Sequence, residues 1–119
     1  MSDYQTPEDF RLISSLIALA PAEGEAFLAY DHACKREDGQ IPLKYRELIS
    51  LAVALTTQCA YCLDVHSRAA AKAGVTREEL AETAMIAAAV RAGGSLAHAL
   101  LALRLFDRQT TQGRSGPSG

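Results

Sequence analysis

Helix punctuation divides this chain from end to end. Thr6 followed by Pro7-Glu8-Asp9 is a helix start: a capping hydroxyl, a proline that is harmless in the first turn, and acids that the helix dipole favours. A first helix is expected to run to about Ala20, where Pro21 ends it. A second fits Ala22 to about Arg36 and stops near Gly39. Pro42 opens a third, in which Leu48, Leu51, Ala52 and Leu55 recur at helical spacing. A fourth is expected from near Cys59 to Gly74, a residue suited to a left-handed cap. Thr76-Arg-Glu-Glu79 is a capping box for a fifth helix reaching about Ala92. Gly93-Gly94-Ser95 is expected to break it, with a sixth helix running to about Gln109. No segment shows sustained two-residue alternation of strand type. The fold class is therefore all-α: a single-domain helical bundle of about six helices over residues 1–111, with 112–119 expected as a disordered tail.

A chain of 119 residues is expected to form one domain, and alone it would bury only about two-thirds of its unfolded surface. Assembly into an oligomer is an attractive way to bury more. Alanine is abundant, aromatics make up 6% and tryptophan is absent, so the expected core is thin and closely packed. The net charge of −2 is spread over interspersed acids and bases, and no basic run suggests a nucleic-acid footprint. Met1-Ser2-Asp3-Tyr4 has no basic region followed by an apolar core, so no secretory leader is expected. No stretch of about 18 uninterrupted apolar residues is present to span a membrane; the Ala84–Val90 run closes at Arg91 and the glycine pair. A soluble, cytoplasmic protein is expected. In that compartment thiols are kept reduced, so a close cysteine pair points to catalysis or metal binding rather than a structural staple.

Such a pair is present. Cys59, Cys62 and His66 are spaced i, i+3 and i+7, which puts them on one face of a helix, and Ala69, Ala70 and Ala73 continue that face with small side chains. The helix N-terminus favours thiolate, the reactive form of cysteine. His66 is within reach of Cys62 and can accept its proton or, when protonated, stabilise the thiolate. Glu47 sits on the preceding helix among Leu48, Ile49 and Leu51, where a carboxylate can serve as general base or proton relay. Whether it meets His66 depends on how the two helices cross. Two thiolates, an imidazole and a carboxylate could also form a tetrahedral zinc set, although structural zinc sites usually draw on two separated ligand pairs. The pair could also be simple packing, and Glu47 a salt-bridged residue beside Lys44 and Arg46. Tyr61 is expected to pack or be partly exposed, Cys34 to be a helix-packing thiol, His98 a core or interface histidine, and His32 a singleton.

The pattern Glu47-x11-Cys59-x2-Cys62-x3-His66 resembles the signature of the alkylhydroperoxidase D-like (AhpD-like) branch of the carboxymuconolactone decarboxylase family. Flanking text agrees, in Arg46-Glu-Leu-Ile-Ser-Leu-Ala-Val-Ala-Leu and in His66-x3-Ala70-x3-Gly74-Val-Thr-x2-Glu79, and the similarity extends to about Phe106. The resemblance implies an all-helical protein that reduces small hydroperoxides through a Cys59–Cys62 dithiol/disulfide couple, without a cofactor. It implies Cys62 as the nucleophile, Cys59 as the resolving thiol, Glu47 and His66 as the proton relay, and an external dithiol reductant such as a lipoyl-bearing adaptor. A homotrimer or homohexamer is expected. The alkylhydroperoxidase D type proper has two related helical halves and a histidine where Tyr61 stands, which implies a simpler relay and weaker peroxidase activity here. The decarboxylase branch generally lacks the cysteine pair; lyase chemistry on a cyclic acid, or a non-enzymatic metal-binding or assembly role, are the alternatives.

Overall fold

The computed structural model describes residues 5–114. A 3-10 turn at Pro7–Leu12 leads into α1 (Ile13–Leu19), followed by α2 (Pro21–Cys34), α3 (Leu43–Thr57), α4 (Ala60–Lys72) and α5 (Arg77–Arg114). There is no strand among the described residues, and the fold is all-α. The helix starts follow the local chemistry. Asp9 accepts from the Thr6 N–H while the Thr6 hydroxyl accepts from Glu8 N–H. Thr76 and Glu79 close their reciprocal box at 2.9 and 3.1 Å. α4 ends where Gly74 takes φ +85 and the Val75 N–H reaches back to the Ala70 carbonyl at 3.0 Å.

The expected break at Gly93-Gly94-Ser95 does not occur. α5 passes straight through it, so the described residues hold five α-helices in place of about six. Each glycine costs about 1 kcal/mol relative to alanine inside a helix, but unlike proline it keeps its N–H. Alanine and arginine before the pair and leucine and alanine after it favour continuation. The helix also extends to Arg114, three residues into the stretch expected as tail; residues 115–119 lie outside the described residues.

α3 is the central element, packed against both α4 and α5, while α1 and α2 form a hairpin beside it. Its inward stripe is Glu47, Leu51 and Ala54, at i, i+4 and i+7. With Ala70 of α4 and Ala87 of α5 these are the buried residues among those described, so the core is as thin and alanine-rich as the composition suggested. Lys44 of α3 pairs with Glu79 of α5 at 2.8 Å, and the Arg91 guanidinium donates to the Thr56 carbonyl, holding α5 along α3 up to that point.

Beyond Arg91, α5 projects away. The radius of gyration is 21.4 Å, against the roughly 13–14 Å of a compact domain this long. Leu96, Leu100, Leu103 and Phe106 are all exposed along the projecting half. Because the helix is continuous, Arg77–Thr111 is long and apolar enough, by length and composition, to cross a bilayer. Arg91 and Arg104 still interrupt its apolar sequence.

Candidate active site

A left-handed residue sets up the cysteine pair. Gln58, at φ 57 and ψ 46, ends α3, and the Cys59 N–H turns back to the Ala54 carbonyl at 3.0 Å. Cys59 is then extended and becomes the N-cap of α4, its sulfur accepting the Cys62 N–H at 3.2 Å. Cys62 sits in the first turn of α4, where the helix N-terminus favours a thiolate. The two cysteines are joined as a disulfide, with Cα atoms 5.3 Å apart.

The two-residue connection also fixes the partner helix. α4 returns antiparallel along α3, and that crossing brings Glu47 Oε2 to 2.8 Å from His66 Nδ1. Glu47 is 3% exposed and His66 half-buried, so the pair is largely shielded from water. With Glu47 ionised, Nδ1 carries the proton and donates it, leaving Nε2 as the ring's acceptor. His66 and Cys62 both line one cleft of about 580 Å³ between α2, α3 and α4. Cys59 is not among its lining residues. A thiol at Cys62 therefore shares the cleft with a basic imidazole whose tautomer and orientation a buried carboxylate holds.

Tyr61 faces away from this cleft. Its hydroxyl donates to Asp9 Oδ2 at 2.6 Å, and its ring meets Phe10 edge-on at a centroid distance of 5.7 Å. The bond to Asp9 raises the Tyr61 pKa above its ordinary value, with desolvation and the Asp9 charge adding to it. Cys34, expected as a helix-packing thiol, is instead exposed at the end of α2 and lines the same cleft as Cys62. His98 is exposed on the projecting half of α5, its Nδ1 3.4 Å from the Gly94 carbonyl, and the fold does not bring it to the site. His32 is exposed on α2. Among the described residues no three or more His, Cys, Asp and Glu stand together as a metal-holding group.

The rest of the cleft wall was not singled out from the sequence. Arg46, Ser50, Val53 and Thr57 recur at i, i+4, i+7 and i+11, one stripe around α3 from the buried Glu47, Leu51 and Ala54. That periodicity was visible in the residues. The Tyr61–Asp9 bond spans 52 residues and left no such trace.

The family model for the carboxymuconolactone decarboxylase family matches residues 21–105. A Paracoccus denitrificans protein described as uncharacterized protein 4 in cox locus is 33% identical over 107 residues, 90% of this chain and 96% of that one. The crystal structure of a carboxymuconolactone decarboxylase family protein from Legionella pneumophila, in its apo form, superposes with a TM-score of 0.67 at 32% identity. The match covers 87% of this chain and 91% of that one. An alkyl hydroperoxide reductase AhpD from Streptomyces avermitilis is 45% identical over 49 residues, which is 41% of this chain and 28% of the reductase.

Proposed function

The chain belongs to the carboxymuconolactone decarboxylase family, on its AhpD-like side, and from that premise we propose that it is a thiol-dependent peroxidase working through Cys59 and Cys62. One observation carries the proposal: the disulfide-joined pair opens a helix whose His66, held by buried Glu47, shares a cleft with Cys62.

In the reduced protein, His66 Nε2 takes the Cys62 thiol proton. The thiolate attacks the terminal oxygen of a hydroperoxide; the S–O bond forms, the O–O bond breaks, and the leaving alkoxide takes the proton back from His66. Cys62 is now a sulfenic acid. The Cys59 thiol attacks its sulfur, the S–S bond forms, and the hydroxyl leaves with a proton as water. One hydroperoxide and two thiols thus give one alcohol, one water and one disulfide. An external dithiol supplies the two electrons and two protons that return the pair; the family resemblance offers a lipoyl-bearing adaptor. Cys62 is assigned the attack because it lines the cleft and Cys59 does not. The need for re-reduction fits a cytoplasmic protein.

Mild hydroperoxide treatment of the reduced protein should remove about two hydrogens of mass as one disulfide forms. Hydroperoxide consumption with a dithiol should vanish in Cys62→Ala and become non-catalytic in Cys59→Ala. Full activity in both variants would remove dithiol chemistry; turnover of a small cyclic acid that survived loss of both thiols and vanished in His66→Ala would point to a lyase of the decarboxylase type.

A further inference from the structure

The cleft beside Cys62 holds one charge that no carboxylate among the described residues neutralises. Arg46 lines it from α3, one residue before Glu47. The guanidinium is fixed in place: Nε donates to the Ile41 carbonyl at 2.8 Å and Nη1 to the Cys34 carbonyl at 2.9 Å. Its Nη2 end lies against Gly39, where a Cβ would meet it. Those two bonds use two of its five N–H donors. Among the Lys and Arg residues, Arg46 is the one that lines this cleft, and no carboxylate among the described residues pairs with it. The neighbouring Glu47 is committed to His66.

The remaining walls are mostly apolar, with Tyr30, Ile41, Ile49 and Val53 prominent. Antiparallel packing, registered by the Glu47–His66 contact, places Cys62 about one turn further along α3 than His66. The Arg46 guanidinium reaches back to the Ile41 carbonyl, before α3 begins, so its charge stands two to three helical turns from Cys62, roughly 10–15 Å along the cleft. An apolar trough with a reactive thiol at one point and an oriented, unpaired guanidinium at another fits a ligand with an apolar body and an anionic end.

We propose that the cleft selects organic hydroperoxides carrying a carboxylate on an apolar chain, with Arg46 pairing the carboxylate while Cys62 meets the peroxide. The inference rests on the peroxide reduction argued above and adds its substrate class. A guanidinium that only stapled the α2–α3 connection would be needed equally for every substrate, charged or not.

The test compares three oxidants on the reduced protein: a long-chain fatty-acid hydroperoxide, its methyl ester and hydrogen peroxide. The lipids are kept below the concentrations at which they aggregate, and disulfide formation is followed by mass after thiol alkylation. The wild type is expected to react with the acid at least about tenfold more efficiently than with the ester. The difference should lie in the concentration for half-maximal rate and shrink as salt is added. In Arg46→Met the acid-to-ester ratio should fall to near one, and Arg46→Lys should keep part of it. Because each ratio is taken within one protein, general damage to the loop cancels. If Arg46→Met does not fold, the wild-type ratio and its salt dependence decide. A wild-type ratio of one, or a ratio that survives Arg46→Met, overturns the inference while leaving peroxide reduction standing. If none of the three oxidises the wild-type dithiol, peroxide reduction falls and the inference with it.

Discussion

Tyr61 Oη donates a 2.6 Å hydrogen bond to Asp9 Oδ2 from its place between the two cysteines, tying the first turn of the chain to the start of α4. The bond favours the protonated phenol, which is why the Tyr61 pKa is raised from 10.0. A raised folded-state pKa means that the latch contributes fully below the ordinary tyrosine value and is lost as pH rises through the higher, folded one. Ultraviolet titration should show a tyrosine ionising above the ordinary value, and Asp9→Asn should bring it down. Tyr61→Phe should speed amide exchange across Thr6–Leu12. Unchanged exchange there would mean that the contact holds nothing in place.

The buried Glu47–His66 pair predicts graded losses. Glu47→Gln keeps the shape but removes the charge that orients His66, so peroxide-driven disulfide formation should slow by about 10²-fold, the lower end of what general acid–base catalysis supplies. His66→Ala should cost at least as much. Cys59→Ser should leave Cys62 trapped as a sulfenic acid that a dimedone probe captures, with one turnover per chain. Capture on Cys59 in the Cys62→Ser variant would reverse the assigned roles.

Gln58 is the non-glycine residue whose left-handed backbone turns α3 into the Cys59 cap. A side chain in that conformation costs about 1–2 kcal/mol, part of which glycine recovers at the expense of a more flexible unfolded chain. Gln58→Gly is expected to raise stability by about 0.5–1 kcal/mol in urea unfolding, and Gln58→Val to lower it. A destabilised glycine variant would show that the Gln58 side chain makes a contribution of its own.

How legible the molecule was follows from the range of each interaction. Helix starts at Thr6, Pro42 and Thr76 and the stop at Gly74 could be read because caps are set by residues a few positions apart. The i, i+4 proximity of Cys62 and His66 could be read for the same reason, whereas Cys59 is the extended N-cap before α4 and does not line their cleft. Glu47 could be named as a candidate partner of His66, but their contact depends on the α3–α4 crossing, which spacing along the chain does not determine. The straight run of α5 through Gly93-Gly94 departs from the expected break because glycine lowers helix propensity without removing a hydrogen bond. The unpaired charge of Arg46 was invisible, because it depends on carbonyls of Cys34 and Ile41 that only the folded connection brings to it.

The projecting half of α5 predicts that the chain does not exist alone. Leu96, Leu100 and Leu103 form one exposed stripe at i, i+4 and i+7, and burying each would contribute about 1.5–3 kcal/mol. An apolar groove of about 400 Å³ between α3 and α5, lined by Leu48, Ala52, Ile86 and Val90 among others, is where the stripe of a second copy is expected to seat. Light scattering should therefore find a homo-oligomer, with a trimer or hexamer expected from the family resemblance. Leu96→Lys with Leu103→Lys should reduce the mass toward that of a single chain without loss of α3–α4 helicity. The same helix satisfies the length and composition of a membrane span, so the assembly should be checked against vesicles. A wild-type protein that stays monomeric in buffer and partitions into neutral vesicles would assign α5 to lipid instead of to a second copy.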